Sequence, residues 1–490
     1  MSSTAQVSKA GTEVAEKDCC APAESQPRRV VVIGGGSAAF AAAIRLQEED
    51  VEVTIVERGI TGGTCVNTGC VPSKILIRAA HIANLRSASP LDGGISAVPP
   101  VVNFATLHFQ QQARVDELRQ AKYESILDRK PKIRLIRGEA RFHDAHTVIV
   151  KQKDGSETKL AFDRALIATG ASSAIPAVGG LSKTPYWTST EALASPNLPK
   201  HLIVYGDSYV ALELAQAFLR LGSRVTVIVR SRILSWSDHE IGDAIQQILT
   251  DESMRILTGN AIERVRYNGD RFTVKVGGES IVGDRLLMAT GRRPNTDGLS
   301  LHNAGVITEE TGAIPVDEFL QTSNPRIYAA GDCTTNPEYV YVAAAAGSKA
   351  AGNMLGGNDP LDLSIVPSVI FTDPQIATGG LDETAARRDG IRVNARILTL
   401  DNVPRALANF DTRGFIKLVT EAETGRLLGT QAIASQAGEL IQSAALAIRA
   451  RMTVDELAGQ LFPYLTMVEG LKLAAQTFTK DVTQLSCCAG

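Results

Sequence analysis

The stretch RRVVVIGGGSAAFAAAIRLQEEDVEVTIVER, residues 28–58, decides the fold. Its apolar run from Val30 to Ile33 is too short for a helix and stops at glycine, which marks a buried strand. Gly34, Gly35 and Gly36 form the turn, the small and apolar residues from Ser37 onward continue as a helix, and VEVTIVER returns as a strand. This is a βαβ unit. Its turn reads Gly34-Gly35-Gly36-Ser37-Ala38-Ala39, a G-x-G-x-x-A string whose glycines let the backbone approach a pyrophosphate seated on the helix N-terminus. Glu57 ends the second strand, 23 residues after Gly34, where a carboxylate accepts hydrogen bonds from a ribose. An ordinary glycine-rich turn is the alternative, and strand, helix and acid in their places favour a dinucleotide.

The same grammar returns at KHLIVYGDSYVALELAQAFLRLGSRVTVIVR, residues 200–230, so a second nucleotide unit is expected. Its turn, Gly206-Asp207-Ser208-Tyr209-Val210-Ala211, carries Ser208 where the middle glycine stood. Arg230 and Arg232 follow its second strand where the first unit has Glu57, and guanidinium groups there suit the 2′-phosphate of NADPH. A solvated basic strand end is the alternative. DRALIATG from Asp163 and DRLLMATG from Asp284 are near copies, each downstream of one βαβ unit, which supports a duplicated plan. Beyond about Leu361 the pattern changes to the strands RGFIKLV and GRLLGTQAI around the turn-forming EAETG, and then to helices from about Ala437. A separate α+β region is expected there.

Composition narrows the function. The 490 residues suffice for about three domains, and 44% hydrophobic with 21% charged residues is ordinary for a globular chain, which excludes gross disorder and coiled coil. Lys and Arg number 50 against 53 Asp and Glu, so no global field draws the chain to nucleic acid or an anionic membrane. The polar, acid-bearing start lacks the apolar core of a signal peptide, and no window reaches the length of a membrane span. A cytosolic protein without a membrane anchor is expected, with small molecules or protein as partners.

Seven cysteines are too few for a secreted disulfide scaffold, and they cluster as Cys19 and Cys20, Cys65 and Cys70, Cys333, and Cys487 and Cys488. The string GGTCVNTGCVPSK separates Cys65 from Cys70 by four residues, whereas zinc sites use closer pairs with a second pair of ligands. A redox pair is the better reading, its thiolates favoured by the helix that opens through VPSK. Two buried structural thiols are the alternative. Cys333 beside Asp332 reads as a small packing residue.

GGTCVNTGCVPSK, the two nucleotide turns and TSNPRIYAAGD at Thr322 to Asp332 resemble the pyridine nucleotide-disulfide oxidoreductases over nearly everything from Arg28 onward. The resemblance implies an α/β fold with two Rossmann-like domains, the NADPH domain inserted into the FAD domain, and a C-terminal α+β domain that makes a homodimer. It divides the chain into a flexible tail at 1–27, FAD-binding parts at 28–178 and 297–360, an NADPH-binding domain at 179–296, a dimerisation domain at 361–478 and a Cys-Cys tail at 479–490. Cofactor contacts are then expected from Gly34, Gly36, Ser37, Ala38, Ala39, Glu57, Gly63, Thr64, Lys74, Ala140, Thr169, Gly170, Asp332 and Val340, and in the second unit from Gly206, Ser208, Ala211, Glu213, Arg230, Arg232 and Gly291. By the same resemblance Cys70 is the thiol against the flavin and Cys65 the outer thiol that meets substrate.

The C-terminus selects the branch. Disulfide-reducing members carry a histidine there with a glutamate five residues later, and FPYLTMVEG has Tyr464 at that position with Glu469 five residues on. A phenol with a reference pKa of about 10 is a poor base at neutral pH. The end LSCCAG offers Cys487 and Cys488 as soft thiolate ligands for a soft metal. Both strings resemble the mercury(II)-reducing members of the family. In those, tail cysteines of one subunit pass Hg(II) to the inner pair of the other, and a tyrosine at the place of Tyr123 in AKYESIL assists. The expected function is NADPH- and FAD-dependent reduction of a Hg(II) dithiolate to Hg(0) at Cys65, Cys70, Tyr123, Tyr464, Cys487 and Cys488, the four cysteines holding the metal. The small metal-binding domain that begins many such proteins is lacking, and the role of Cys19 and Cys20 stays open. A flavin-dependent disulfide reductase and a thiol sequestration protein are the alternatives.

Overall fold

The computed structural model describes residues 28–482. The tail expected at 1–27, with Cys19 and Cys20, and the pair Cys487 and Cys488 lie outside the described residues.

The valine run forms strand Arg29–Ile33, with Val30 to Ile33 at most 3% exposed. It pairs in parallel with Glu52–Glu57 on one side and Arg164–Ile167 on the other. Ile133–Arg137 and Ile327–Ala329 extend this sheet at its two edges, again in parallel. Strands buried on both faces tolerate only apolar side chains, which is why these segments read as continuous Val/Ile/Leu runs. The chain therefore leaves the sheet after Ile167 and re-enters it at Ile327. Between those points lies the second parallel sheet, ordered Arg255–Leu257, Arg224–Ile228, His201–Tyr205, Arg285–Met288. The second unit is thus an insertion into the first, as the α/β reading expected.

Helix Ser37–Gln47 lies on helix Val340–Met354 through small side chains, Ala38, Ala39, Ala42 and Ala43 against Ala343, Ala346 and Ala350. At their closest approach a Cβ on Gly347 would lie 2.1 Å from the Ala38 carbonyl oxygen, so only glycine fits. This contact fixes the helix whose first turn faces the nucleotide site.

The last region is a five-stranded antiparallel sheet, ordered Ser368–Ile370, Gln375–Gly380, Leu427–Ala434, Phe415–Glu421, Val393–Thr399, with helix Ala437–Arg449 packed on it. It is tied to the second unit by Arg220, 4% exposed, which reaches Glu252 at 2.5 Å and Asp373 at 2.6 Å. Burial alone would raise the Asp373 carboxyl, yet His81 at 2.8 Å and the Arg220 guanidinium hold it well below the usual carboxylate range. Among the described residues no helix is long and apolar enough to cross a membrane.

Candidate active site

Two glycine turns build the nucleotide sites. Gly34 has φ +111°, and a Cβ there would lie 2.2 Å from the Ala168 carbonyl oxygen. The Glu57 carboxylate accepts from Gly35 N at 2.6 Å and Gly59 N at 2.5 Å, so it also braces the turn that it follows. In the second unit Gly206 has φ +136°, and a Cβ there would lie 2.1 Å from the Ala289 carbonyl oxygen. Ser208 explains its own departure from the glycine string: its Oγ accepts from Ala211 N at 3.2 Å and donates to Ala289 O at 3.0 Å. The serine caps helix Tyr209–Arg220, a substitution that trades backbone clearance for a stabilised N-terminus.

A cavity of about 710 Å³ runs from the first turn to the second unit. Of the expected cofactor residues Gly34, Gly36, Ser37, Ala38, Glu57, Gly63, Thr64, Lys74, Thr169, Gly170, Asp332, Val340 and Glu213 line it. Ala39 is fully buried beneath the helix, Ala140 lies on strand Glu139–Asp144, and neither reaches the cavity wall. Gly206, Ser208, Ala211, Arg230, Arg232 and Gly291 also lie off it. The lining fits a flavin dinucleotide: a glycine cradle stands at one end, and the buried Thr169 Oγ1 has no hydrogen-bond partner among the described residues.

The thiols stand on the wall of this cavity. Cys70 is the first residue of helix Cys70–Ser87, as expected from VPSK, and Cys65 lies on the preceding short helix Gly63–Asn67. Both are free thiols that hydrogen-bond each other. The bond from Cys65 lowers the Cys70 thiol to about 7 against the pull of burial, and the Lys74 ammonium adds to the lowering. The Cys65 thiol is pushed up, first by the same hydrogen bond and then by burial. One proton is therefore shared unequally, the thiolate favoured on Cys70 and the proton on Cys65.

Lys74 Nζ lies 2.7 Å from Glu213 Oε2 and 4.5 Å from the centre of the Phe371 ring. Glu213, with a side chain 4% exposed, also accepts from Phe371 N at 2.9 Å. This pair joins the thiol helix, the second nucleotide helix and Phe371, which directly follows the first strand of the C-terminal sheet.

Other placements differ from the reading of the sequence. Tyr123 does not line the cavity; it lies on the π-helical turn Gln120–Glu124, its ring edge-on to Phe40 at 5.0 Å and its hydroxyl 3.4 Å from Ser37 Oγ. Tyr464 is 51% exposed, off the cavity, just before helix Glu469–Gln476, where Glu469 accepts from Leu465 N at 3.2 Å. Arg230 is exposed, whereas Arg232 turns back to donate to Ser235 O at 3.1 Å and to Ser237 O. Sequence reasoning missed Arg292, Glu338 and Tyr209, all on the cavity wall. Arg292 donates to Ala171 O at 2.6 Å and sits between Asp332 at 3.3 Å and Glu338 at 3.6 Å. Burial raises the Glu338 carboxyl and, with Glu338 nearby, pushes the Tyr209 phenol up to about 12. The available signal for Arg292 was its place immediately after the second Thr-Gly copy.

Comparison with known proteins agrees with this architecture. The family model described as "Pyridine nucleotide-disulphide oxidoreductase" matches residues 28–347, and that of its dimerisation domain matches residues 366–475. The chain is 58% identical over 467 residues to a mercuric reductase of Acidithiobacillus ferrooxidans, covering 95% of this chain and 85% of that protein. It is 59% identical over 457 residues to a mercuric reductase of Shigella flexneri (92% and 81% covered) and 45% identical to one of Streptomyces lividans (92% and 96%). Among solved structures, the HOCl-induced flavoprotein disulfide reductase RclA of Escherichia coli superposes with a TM-score of 0.83 at 28% identity, covering 92% of this chain and all of that one. LpdA of Mycobacterium tuberculosis does so with a TM-score of 0.82 at 28% identity, again over 92% and 100%. The chain belongs to the pyridine nucleotide-disulphide oxidoreductase family, in the group formed by the mercuric reductases.

Proposed function

We propose that the chain is a mercury(II) reductase, which oxidises NADPH and reduces Hg(II), presented as a dithiolate, to Hg(0). The observation that carries this reading is the thiol pair, one member biased to thiolate and one to thiol, on the wall of a cavity that both nucleotide units line. FAD and NADPH, when bound, supply the two-electron relay and the hydride donor.

The chain's own residues handle ligand exchange. Cys65 gives up its proton as it takes the metal, and Cys70, in its thiolate form, supplies the second sulfur. Of the two thiolates displaced, one leaves as such and the other carries away the Cys65 proton, so exchange balances without a base. Tyr464 in place of a histidine accords with that requirement. Each incoming sulfur bonds before an outgoing one departs, which keeps the metal coordinated throughout. When Hg(II) takes up two electrons and leaves as Hg(0), both sulfurs remain, and the proton released as NADPH becomes NADP⁺ restores the thiol. Lys74 favours the Cys70 thiolate, and Glu213 pins the lysine against it. Arg292 pairs with Asp332 on the cavity wall, where the two would help to hold FAD. Exposed Arg230 meets the 2′-phosphate, and Arg232 braces its loop.

Tyr123 acts from behind the first turn, through Ser37. The domain divisions given above, with dimerisation at 361–478, place half-exposed Tyr464 on the module that meets a second copy. Composite active sites follow, with Cys65 and Cys70 from one chain and Cys487 and Cys488 from the other. The cytosol, where thiols are kept reduced, is the fitting compartment.

The test is NADPH oxidation by the FAD-loaded dimer with Hg(II) in excess thiol, set against oxidised glutathione and lipoamide. Turnover with Hg(II) alone is expected. Turnover with a disulfide and none with Hg(II) would make the chain a disulfide reductase instead.

A further inference from the structure

Lys417 lies on strand Phe415–Glu421 of the C-terminal sheet with its side chain only 2% exposed. An ammonium group so far from water needs compensating charge, and three carboxylates surround it: Asp238 at 2.9 Å, Glu383 at 2.9 Å and Glu240 at 3.1 Å. Glu383 belongs to the same region as the lysine. Asp238 and Glu240 do not; they flank the start of helix His239–Asp251 in the second nucleotide unit.

Asp238 is also where the loop that begins at Arg230 ends. That loop is held at both ends and in between, where Gly259 N donates to Ser231 O at 2.8 Å. Its near end follows the strand, where Val229 N donates to Leu257 O at 2.8 Å. Its middle is tied to the glycine turn by Ser235 Oγ, which donates to Asp207 at 2.9 Å, and is sunk into the core by Ile233 and Leu234, both 0% exposed. Its far end is the ion pair with Lys417. Arg232 is clamped inside the loop, and Gly242 of the following helix comes so close that a Cβ would lie 2.7 Å from Arg232 Nη1. A shift of the first helical turn therefore moves the arginine.

We propose that Lys417 is a positioning residue for nucleotide selectivity: from the dimerisation module it anchors Asp238 and Glu240, and through them the loop that Arg232 braces and that presents Arg230 to the 2′-phosphate. This rests on the reading of those arginines given above. Lys417 touches no nucleotide, so its removal loosens recognition of the phosphate and leaves the rest of the nucleotide site in place.

The experiment is titration calorimetry of the FAD-loaded protein with adenosine 2′,5′-bisphosphate and with adenosine 5′-monophosphate, followed by KM for NADPH and NADH. Lys417→Met is expected to weaken the bisphosphate about tenfold, the scale of one charge-assisted phosphate contact, and to change the monophosphate by less than about twofold. The double variant Asp238→Asn/Glu240→Gln removes the charges on the loop side and leaves the lysine, so it decides the matter should Lys417→Met not fold; the same selective loss is expected. The KM for NADPH should rise with the KM for NADH held. Arg230→Ala/Arg232→Ala serves as the reference. If the reference loses selectivity while a folded Lys417 or Asp238/Glu240 variant keeps it, the proposal is overturned. Equal weakening of both nucleotides overturns it too, since that is general damage. If the reference itself keeps wild-type selectivity, the arginine reading fails and the positioning role falls with it.

Discussion

Replacing Lys74 by Met tests the electrostatics of the thiol pair. In the native protein the Cys65 hydrogen bond and the Lys74 charge lower Cys70 to about 7, against burial and the Glu213 carboxylate. The variant keeps the hydrogen bond, loses the cation and leaves Glu213 unopposed. A cation within a few ångströms shifts a neighbouring thiol by about one pH unit or more, so Cys70 should titrate near 8 or higher. At pH 7 the thiolate fraction falls from about one half to about one tenth or less. Stability falls as well, by about 2–3 kcal/mol, the buried-pair scale discounted because Lys74 is a third exposed. Lys74→Met/Glu213→Gln removes the unpaired carboxylate and should recover much of both losses. The assay is iodoacetamide alkylation of Cys70 in the reduced protein across the neutral pH range, read by peptide mass. A folded Lys74→Met protein whose alkylation midpoint stays near 7 would refute the assignment of Lys74 as a thiolate-stabilising cation.

Further outcomes follow from the same geometry. Cys70→Ala should abolish the long-wavelength thiolate-to-flavin charge-transfer band on partial reduction and Cys65→Ala should keep it; equal retention would reverse their assignment. Arg230→Ala/Arg232→Ala should raise KM for NADPH about tenfold or more over that for NADH, since a guanidinium–phosphate contact has no counterpart on a ribose hydroxyl. Gly347→Ala should cost about 1–3 kcal/mol and part of the bound flavin, because the added methyl meets the Ala38 carbonyl; unchanged melting temperature and flavin content would show that the two helices separate freely.

Much of the architecture was legible because its signals are local. A glycine turn between a buried strand and a helix states its own geometry, and Gly34 and Gly206 both occupy backbone that a Cβ would close. The repeated Thr-Gly strands announced two units, and the return of the chain at Ile327 makes the second an insertion. What was not legible depends on residues far apart in the chain. Lys74 and Glu213 stand 139 residues apart, and Lys417 and Glu240 are 177 apart. No periodicity encodes such a pair: the resemblance names Lys74 and Glu213 each as a cofactor contact, and nothing in the sequence joins one to the other. The sequence points to Arg232 as a phosphate ligand because its position after the strand is visible, whereas the carbonyls that hold it become visible only once the loop folds back. Tyr123 was likewise placed by motif, and the π-helical turn that carries it sets its hydroxyl on Ser37 instead of the cavity.

The central claim is that Cys65 and Cys70 together present Hg(II) for reduction by NADPH. The most direct measurement collects mercury vapour from the FAD-loaded dimer supplied with Hg(II), excess thiol and a limiting amount of NADPH, in the native protein and in Cys65→Ala and Cys70→Ala. The account predicts one Hg(0) released per NADPH oxidised in the native protein and none from either variant, although both still accept hydride into the flavin. Native protein that binds Hg(II) without releasing Hg(0), or a single-cysteine variant that releases it at the native rate, would contradict the account.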